Sequence, residues 1–167
     1  MSVVVIPCFQ RADFLEVCLD HIVKADEYEK HKYLFCLDYG FNPEIIKIIN
    51  KYPLTAGVIK TPNHSLGIGK QSHNVLTGLL TACEHSDDVI YYIEDDVFIG
   101  KDFFTFTADV VRKEDVYCCI ASKSQRSEGN EVEDENCYLV KENTNDYQGI
   151  GVCFNVEQFM KYTAKHC

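Results

Sequence analysis

Three carboxylates stand in a row at Glu94-Asp95-Asp96, directly after the apolar run Val89-Ile90-Tyr91-Tyr92-Ile93. The run is short, aromatic and β-branched, and Ser86-Asp87-Asp88 precedes it as a turn, so it reads as a buried strand. Three acids at the end of a core strand repel one another and lose hydration. Something positive must offset both costs, most simply a divalent cation. Ligands that are all oxygen suit a hard ion, Mg²⁺ or Mn²⁺. The plainer alternative is an acidic turn that caps the helix starting near Lys101, and the triplet alone leaves both open.

The flanking elements must place this triplet. Residues 3–6 form a first apolar strand that Pro7 ends, and Cys8-Phe9-Gln10-Arg11 forms the loop after it. A helix over 13–26, with Asp13 as cap, puts Phe14, Val17, Cys18, His21, Ile22 and Ala25 at helical spacing. A second strand over 33–37 ends at Asp38-Tyr39-Gly40, and Pro43 opens a second helix that buries its isoleucines. A third strand over 57–61 stops at Pro62; a glycine-bearing loop and a helix over 70–84 lead into the acidic strand. Beyond it the pattern predicts a helix from Asp102 to Arg112, a strand over 116–121, a polar acidic loop and a short strand over 137–140. A second glycine turn, Asp146-Tyr147-Gln148-Gly149-Ile150-Gly151, then leads to a strand ending at Asn155 and a last helix from Val156.

Strands and helices alternate with short links. This predicts one α/β domain over residues 1–167, Rossmann-like, with a mostly parallel central sheet flanked by helices. Ligands of such sheets bind outside the carboxyl ends of the strands, so Arg11, Asp38 and Glu94–Asp96 should share one edge and one crevice.

Composition narrows the partners. A formal net charge of −10 argues against a nucleic-acid or phospholipid surface. No apolar run approaches the length of a membrane span, and the first residues do not form a secretory signal. Nine cysteines without a Cys-x-x-Cys pair read as small core residues of a reduced, cytoplasmic protein, and Cys118 and Cys119 should face opposite sides of their strand. Gly67-Ile68-Gly69-Lys70-Gln71-Ser72 fails as a phosphate loop, because His64 and Gln71 stand where glycine and Ser or Thr are required. Its backbone N–H groups and Lys70 can still meet an anion at a helix N-terminus. His73 reads equally as a surface histidine or a ligand contact. Neither a dinucleotide fingerprint nor a nucleophile elbow is present.

With these residues in place, the chain resembles glycosyltransferases of the GT-A fold. Their acidic DxD-type motif at a strand end is matched by Glu94-Asp95-Asp96. The opening Val5-Ile6-Pro7-Cys8-Phe9-Gln10-Arg11, continuing through Asp13-Phe14-Leu15 and Cys18-Leu19, is similar to the start of family 2 enzymes, as are Leu37-Asp38-Tyr39-Gly40 and Pro62 to Gly67 followed by Asn74 and Gly78. A second resemblance is to type I N-acetylglucosaminyltransferases and their O-mannose-linked relatives. It rests on Glu94-Asp95-Asp96 followed by Asp102-Phe103-Phe104, on Asp38-Tyr39-Gly40 and on Gly149-Ile150-Gly151.

The resemblance implies a metal-dependent transfer of a sugar from a nucleotide-sugar, UDP-linked, to a saccharide, lipid or protein acceptor, with inversion. Asp96 would hold Mn²⁺ or Mg²⁺, which would bridge the diphosphate. Pro7, Arg11, Asp38, Lys70, Glu94 and Asp95 would line the nucleotide-sugar, with Asp38 on the base, Glu94 or Asp95 on the ribose and Arg11 or Lys70 on the phosphates. Asp146 is the one late carboxylate in a matching turn, and it reads as a general base or as an ordinary turn residue. The family's catalytic carboxylate follows the helix after that turn, and this sequence reaches Cys167 there, so the acceptor side looks short. A non-catalytic nucleotide-sugar-binding module, or the donor half of a larger enzyme, is the alternative. A nucleotidyltransferase is the third reading; it should carry a glycine- and lysine-rich loop after the first strand, which Cys8-Phe9-Gln10-Arg11 is not.

Overall fold

The computed structural model describes residues 1–61, 69–113, 116–120 and 151–163, with Lys70 described by its backbone alone. The described elements are β1 (Val3–Cys8), α1 (Ala12–Ile22), a 3₁₀ turn (Tyr28–Lys30), β2 (Lys32–Leu37), α2 (Glu44–Ile49), β3 (Thr55–Lys60), α3 (Gly69–Glu84), β4 (Val89–Tyr92), α4 (Phe103–Val111), β5 (Cys118–Ile120), β6 (Val152–Asn155) and α5 (Val156–Tyr162). The strand expected over 137–140 lies outside the described residues. Among the described residues the strands form one six-stranded sheet in the order β3-β2-β1-β4-β6-β5. β1 to β4 are parallel, with Val3 opposite Lys32 and Cys8 opposite Leu37, while β6 runs antiparallel to both β4 and β5.

The continuous apolar run of β1 follows from burial on both sides. Val4, Ile6 and Cys8 enter the layer formed by α1, α2 and α4, whereas Val3 and Val5 enter the layer formed by α3 and α5. Cys118 and Cys119 divide in the same way between the two layers. No described helix is long and apolar enough to cross a membrane.

Several boundaries differ from the expectation: the third strand is Thr55–Lys60, the strand expected over 116–121 is Cys118–Ile120, and β1 and α1 differ for reasons the structure shows. β1 does not stop at Pro7 but runs to Cys8. The carbonyl of Val5 accepts from Ile93 N–H and that of Cys8 from Asp38 N–H, so odd-numbered residues of β1 present their backbone to β4. β4 pairs no further than Val5, so the missing N–H of Pro7 faces a gap where no ladder bond is lost. On α1, Phe14 and Val17 are exposed at 45% and 43% rather than buried. The buried stripe is Leu15, Cys18, Leu19 and Ile22, one residue out of phase with them. The helix also ends at Ile22, short of residue 26, although Ala25 stays buried beyond it.

α3 lies so close to the sheet that a Cβ on Gly78 would meet Cys36 Sγ at 2.5 Å and Val5 Cγ1 at 2.8 Å. Alanine gains about 1 kcal/mol in helix propensity, while overpacking a rigid core costs about 1–3 kcal/mol. Gly78→Ala is therefore expected to lower the urea midpoint, and an unchanged or higher midpoint would show that α3 shifts freely. On the opposite face of the sheet, His31 is buried against Tyr91 and Phe104, and neither ring nitrogen has a hydrogen-bond partner. Burial lowers its pKa from the ordinary 6.5 to about 4. The unfolded chain thus takes up the proton first: stability from the neutral ring is complete above pH 6.5 and is lost as pH falls toward 4, by at most about 1.4 kcal/mol per pH unit. His31→Phe should flatten the pH dependence of stability between pH 7 and 5, which denaturant titrations at each pH would register.

Candidate functional site

The site grows from three strand ends on one edge of the sheet. β1 ends at Cys8, and Phe9-Gln10 carry the chain into α1 with Arg11 at its N-cap position. β2 ends at Leu37 and is followed by Asp38, which is buried. β4 ends at Tyr92 and is followed by Ile93 and the three acids.

The loops after β1 and β2 are tied to each other. Asp38 N–H donates to the Cys8 carbonyl at 3.0 Å, Asn42 N–H to the Phe9 carbonyl at 2.7 Å, and Gln10 Nε2 to the Gly40 carbonyl at 2.5 Å. Gly40 has φ +77°, a left-handed turn that lets the chain double back there. One carboxylate oxygen of Asp38 accepts from Tyr39 N–H at 2.8 Å. Behind this loop Asn74, buried on α3, donates to the Cys36 carbonyl at 2.8 Å and accepts from the Thr61 hydroxyl at 2.7 Å. It locks α3 to the ends of β2 and β3.

Past β4 the chain alternates through Ile93 and Glu94 and then turns at Asp95-Asp96, where Val97 N–H donates to the Glu94 carbonyl at 3.1 Å, and this divides the acidic triplet. Tyr92 and Glu94 face the α3 and α5 layer; the Tyr92 hydroxyl donates to Glu94 Oε1 at 3.0 Å. Ile93 enters the other layer, and Asp95 turns to Arg11 on that side. The Arg11 guanidinium forks onto two carboxylates: Nη2 donates to Asp95 Oδ1 at 2.5 Å, and Nη1 donates to Asp96 Oδ2. Asp95 also accepts from the Phe9 backbone N–H. Its side chain is 4% exposed, against 32% for Asp96 and 48% for Arg11.

Burial pushes the Asp95 carboxyl above the usual carboxylate range, and Arg11 pulls against that. Burial alone would weaken the Arg11 proton, but Asp95 and Asp96 more than reverse this and raise its pKa. Under the same roof, burial and then the Asp95 charge push the Cys18 thiol up to about 12 and Cys8 well above its ordinary value. These thiols stay protonated, and Cys18 Sγ donates to the Glu94 carbonyl at 3.7 Å.

The three adjacent acids do not all turn to one group: the Arg11 guanidinium lies between Asp95 and Asp96, and Glu94 faces the other layer. Among the described residues no three His, Cys, Asp or Glu side chains are grouped closely enough to hold a metal ion. Arg11, Asp38 and Asp96 do leave one edge of the sheet, as parallel strand ends require, and Pro7 lies in β1 beside them. Asp146 and the side chain of Lys70 lie outside the described residues. Of the Gly149-Ile150-Gly151 turn, Gly151 is described, with φ +59°. His73 is exposed on α3.

Sequence reasoning missed a cavity of about 530 Å³ between α3 and α5, lined by Leu79, Tyr92, Glu94, Tyr117, Phe154 and Phe159 among others. Its wall is aromatic, and Glu94 brings a carboxylate to it. The period-two alternation from Tyr92 to Asp95 is the signal that could have found it.

Comparison with solved structures fixes the architecture. The chain is similar to the mannosyltransferase PcManGT from Pyrobaculum calidifontis in complex with GDP-Man and Mn²⁺, with TM-score 0.70 and 15% identity over 97% of this chain and 46% of that one. TarS 1-349 from S. aureus aligns with TM-score 0.69 and 15% identity over 96% and 48%. The chain has the GT-A fold. A structure of TarS 1-349 in complex with UDP aligns over 67% of this chain and 32% of that one, with TM-score 0.52 and 18% identity. The chain also aligns with 4-diphosphocytidyl-2C-methyl-D-erythritolsynthase from Anaerococcus prevotii DSM 20548, with TM-score 0.57 and 15% identity over 100% of this chain and 78% of that one. The chain spans less than half the length of the two glycosyltransferase chains. No family model and no curated protein matches the sequence.

The unequal burial of the two acids separates their roles in stability. Asp95→Ala strands the Phe9 N–H and half of the Arg11 fork and should cost about 1–3 kcal/mol. Asp96→Ala removes a partly exposed ion pair and should cost less than about 1 kcal/mol. Equilibrium unfolding of the two variants checks this; equal losses would contradict the asymmetry.

Proposed function

We propose that the chain binds a nucleotide-sugar at the β1–β2–β4 edge and serves a metal-dependent glycosyl transfer, with a UDP-sugar as donor. The observation that carries this reading is the fork of Arg11 onto Asp95 and Asp96, beside the buried Asp38, at the carboxyl ends of parallel strands in a GT-A fold. The neighbours with GDP-Man and Mn²⁺ and with UDP support it.

Each residue has a task in this reading. Asp38 accepts the N3–H of uracil. Arg11 donates to phosphate oxygens. Asp95, nearly closed off from solvent, positions Arg11 rather than touching the ribose, which leaves Glu94 for hydroxyl groups of the donor or acceptor. Pro7 offers no N–H to the gap past β4 and shapes the floor of the crevice. Lys70 at the start of α3 adds a positive charge.

The residues fit a hard divalent ion only in one manner. Asp96 is the accessible carboxylate, and Mg²⁺ or Mn²⁺ held by one or two carboxylates with the remaining positions on phosphate oxygens and water is the usual arrangement for such ions. When bound, the ion neutralises the diphosphate leaving group as a Lewis acid. Inverting attack needs a base opposite the leaving group, and Asp146 is our candidate. The acceptor is a saccharide, lipid or protein, and the protonated core thiols fit a cytoplasmic setting. A donor-binding half that works with further chain is the second reading, favoured by the coverage of less than half of each glycosyltransferase neighbour.

Calorimetry with UDP, GDP and CTP, each with and without Mn²⁺, tests the donor assignment, and a UDP-sugar hydrolysis assay tests turnover. Mn²⁺-dependent UDP binding is expected, with Asp96→Asn weakening it at least about tenfold while the melting temperature stays within a few degrees. Unchanged Mn²⁺-dependent affinity in that variant would overturn the assignment of Asp96. Diphosphate release from CTP, without UDP-sugar hydrolysis, would favour nucleotidyl transfer. Donor binding with hydrolysis slower by about 10²–10⁴-fold than a complete site allows would support the donor-half reading.

A further inference from the structure

Arg11 occupies the carboxylates that a cation would need, and this conflict has a solution built into the geometry. The two arms of the fork are unequal. Asp95 is nearly sealed, held also by the Phe9 N–H, and cannot leave Arg11 without stranding a buried charge. Asp96 is about one-third exposed and holds Arg11 through Nη1 alone. A cation arriving from solvent therefore meets Asp96 first and competes with one arm of the fork.

We propose that Arg11 is a resident substitute for the metal: it neutralises the acids in the metal-free protein, and a divalent ion displaces its Nη1 arm from Asp96, which frees that arm for the diphosphate. This rests on the donor-binding reading given above. The Asp95 arm stays fixed and acts as the pivot. Two carboxylates and one guanidinium carry one net negative charge; adding a divalent ion makes it one net positive. The pocket then changes sign only when the ion is present and attracts the diphosphate at that moment. Binding is thus ordered, with the ion alone held weakly and the ion together with nucleotide held well.

The exchange predicts opposite signs for one variant. Arg11→Gln removes the competitor, so Mn²⁺ alone should bind about fivefold tighter than in wild type, the factor set by one partly exposed ion pair. The same variant should bind UDP in saturating Mn²⁺ more weakly, by about tenfold, through loss of the charge-assisted bonds to phosphate. Arg11→Lys keeps the charge and should leave affinity for Mn²⁺ alone near wild type. Isothermal titration of wild type and both variants with Mn²⁺ alone, then with UDP in saturating Mn²⁺, measures these changes, and far-UV circular dichroism checks folding. In the wild-type protein, which needs no substitution, the Arg11 guanidinium NMR signals should move when Mg²⁺ and UDP are added together. Failure of wild type to bind UDP with Mn²⁺ would overturn the donor-binding reading. Mn²⁺-dependent UDP binding in wild type without a gain for Mn²⁺ alone in Arg11→Gln would overturn the exchange and leave that reading standing. No gain in Arg11→Gln and no movement of the guanidinium signals would overturn the exchange whatever the wild type does with UDP.

Discussion

A buried carboxylate at the end of a central strand is a liability unless a cation reaches it, and in this protein that cation is Arg11. The bond between Arg11 and Asp95 joins positions 84 residues apart and closes the gap between the loop after β1 and the loop after β4. Much else follows from it. Phe9 is held in place because its N–H shares the same carboxylate, and the Phe9 carbonyl in turn fixes Asn42 in the loop after β2. The first turn of α1 begins at Arg11, whose guanidinium has only donors and cannot cap the helix; its donors go to the acids instead. Three loops at one edge of the sheet are thereby referenced to one guanidinium.

The centre of the sheet was legible in the sequence because β1 and β4 are buried on both sides and read as unbroken apolar runs, whereas β3 at the edge is largely exposed. The edge-sharing of Arg11, Asp38 and Asp96 followed from parallel topology alone, with no knowledge of side-chain contacts. The partners within that edge were not legible. Adjacent acids suggest a cluster when read along the chain, but alternation past β4 sends Glu94 to the side of Tyr92, and the turn at Asp95-Asp96 then brings both aspartates to Arg11. Helix α1 misled for a related reason. Phe14 and Val17 satisfy helical spacing as well as Leu15, Cys18 and Ile22 do, and only the sheet decides which stripe faces inward. The end of β1 at Cys8 rather than Pro7 was hidden because a proline's effect on a strand depends on which neighbour its missing donor faces.

Division of the acids gives the site two sides with different chemistry. On the α1 side the groups are charged and held by charge-assisted bonds. On the α3 and α5 side the wall is aromatic, with Tyr92, Tyr117, Phe154 and Phe159 around the cavity and a single carboxylate, Glu94, supported by the Tyr92 hydroxyl. The two sides share a backbone: the carbonyl of Glu94 accepts from Cys18 on α1 while its side chain faces α3. A displacement of the acids on one side must therefore be felt on the other, because only one residue separates Glu94 from Asp96.

The position of this arrangement in the sheet is not arbitrary. From β1 the chain builds outward to β2 and β3 in one direction, then returns to place β4 on the other flank of β1. The loops leaving β1 and β4 both turn toward the layer of α1 and α4, and the Arg11 fork bridges them over the crevice between the two strand ends. β4 stops pairing at Val5 while β1 continues to Cys8, so the crevice deepens by the length of the unpaired segment. An ordinary residue at position 7 would leave a backbone N–H facing this gap with no strand to receive it, and Pro7 removes that donor. The crevice thus has no Pro7 N–H facing it, and the Arg11 fork closes it at one side. Arg11, Asp38 and Asp96 stand in the loops, and the topology of the sheet fixes where those loops begin.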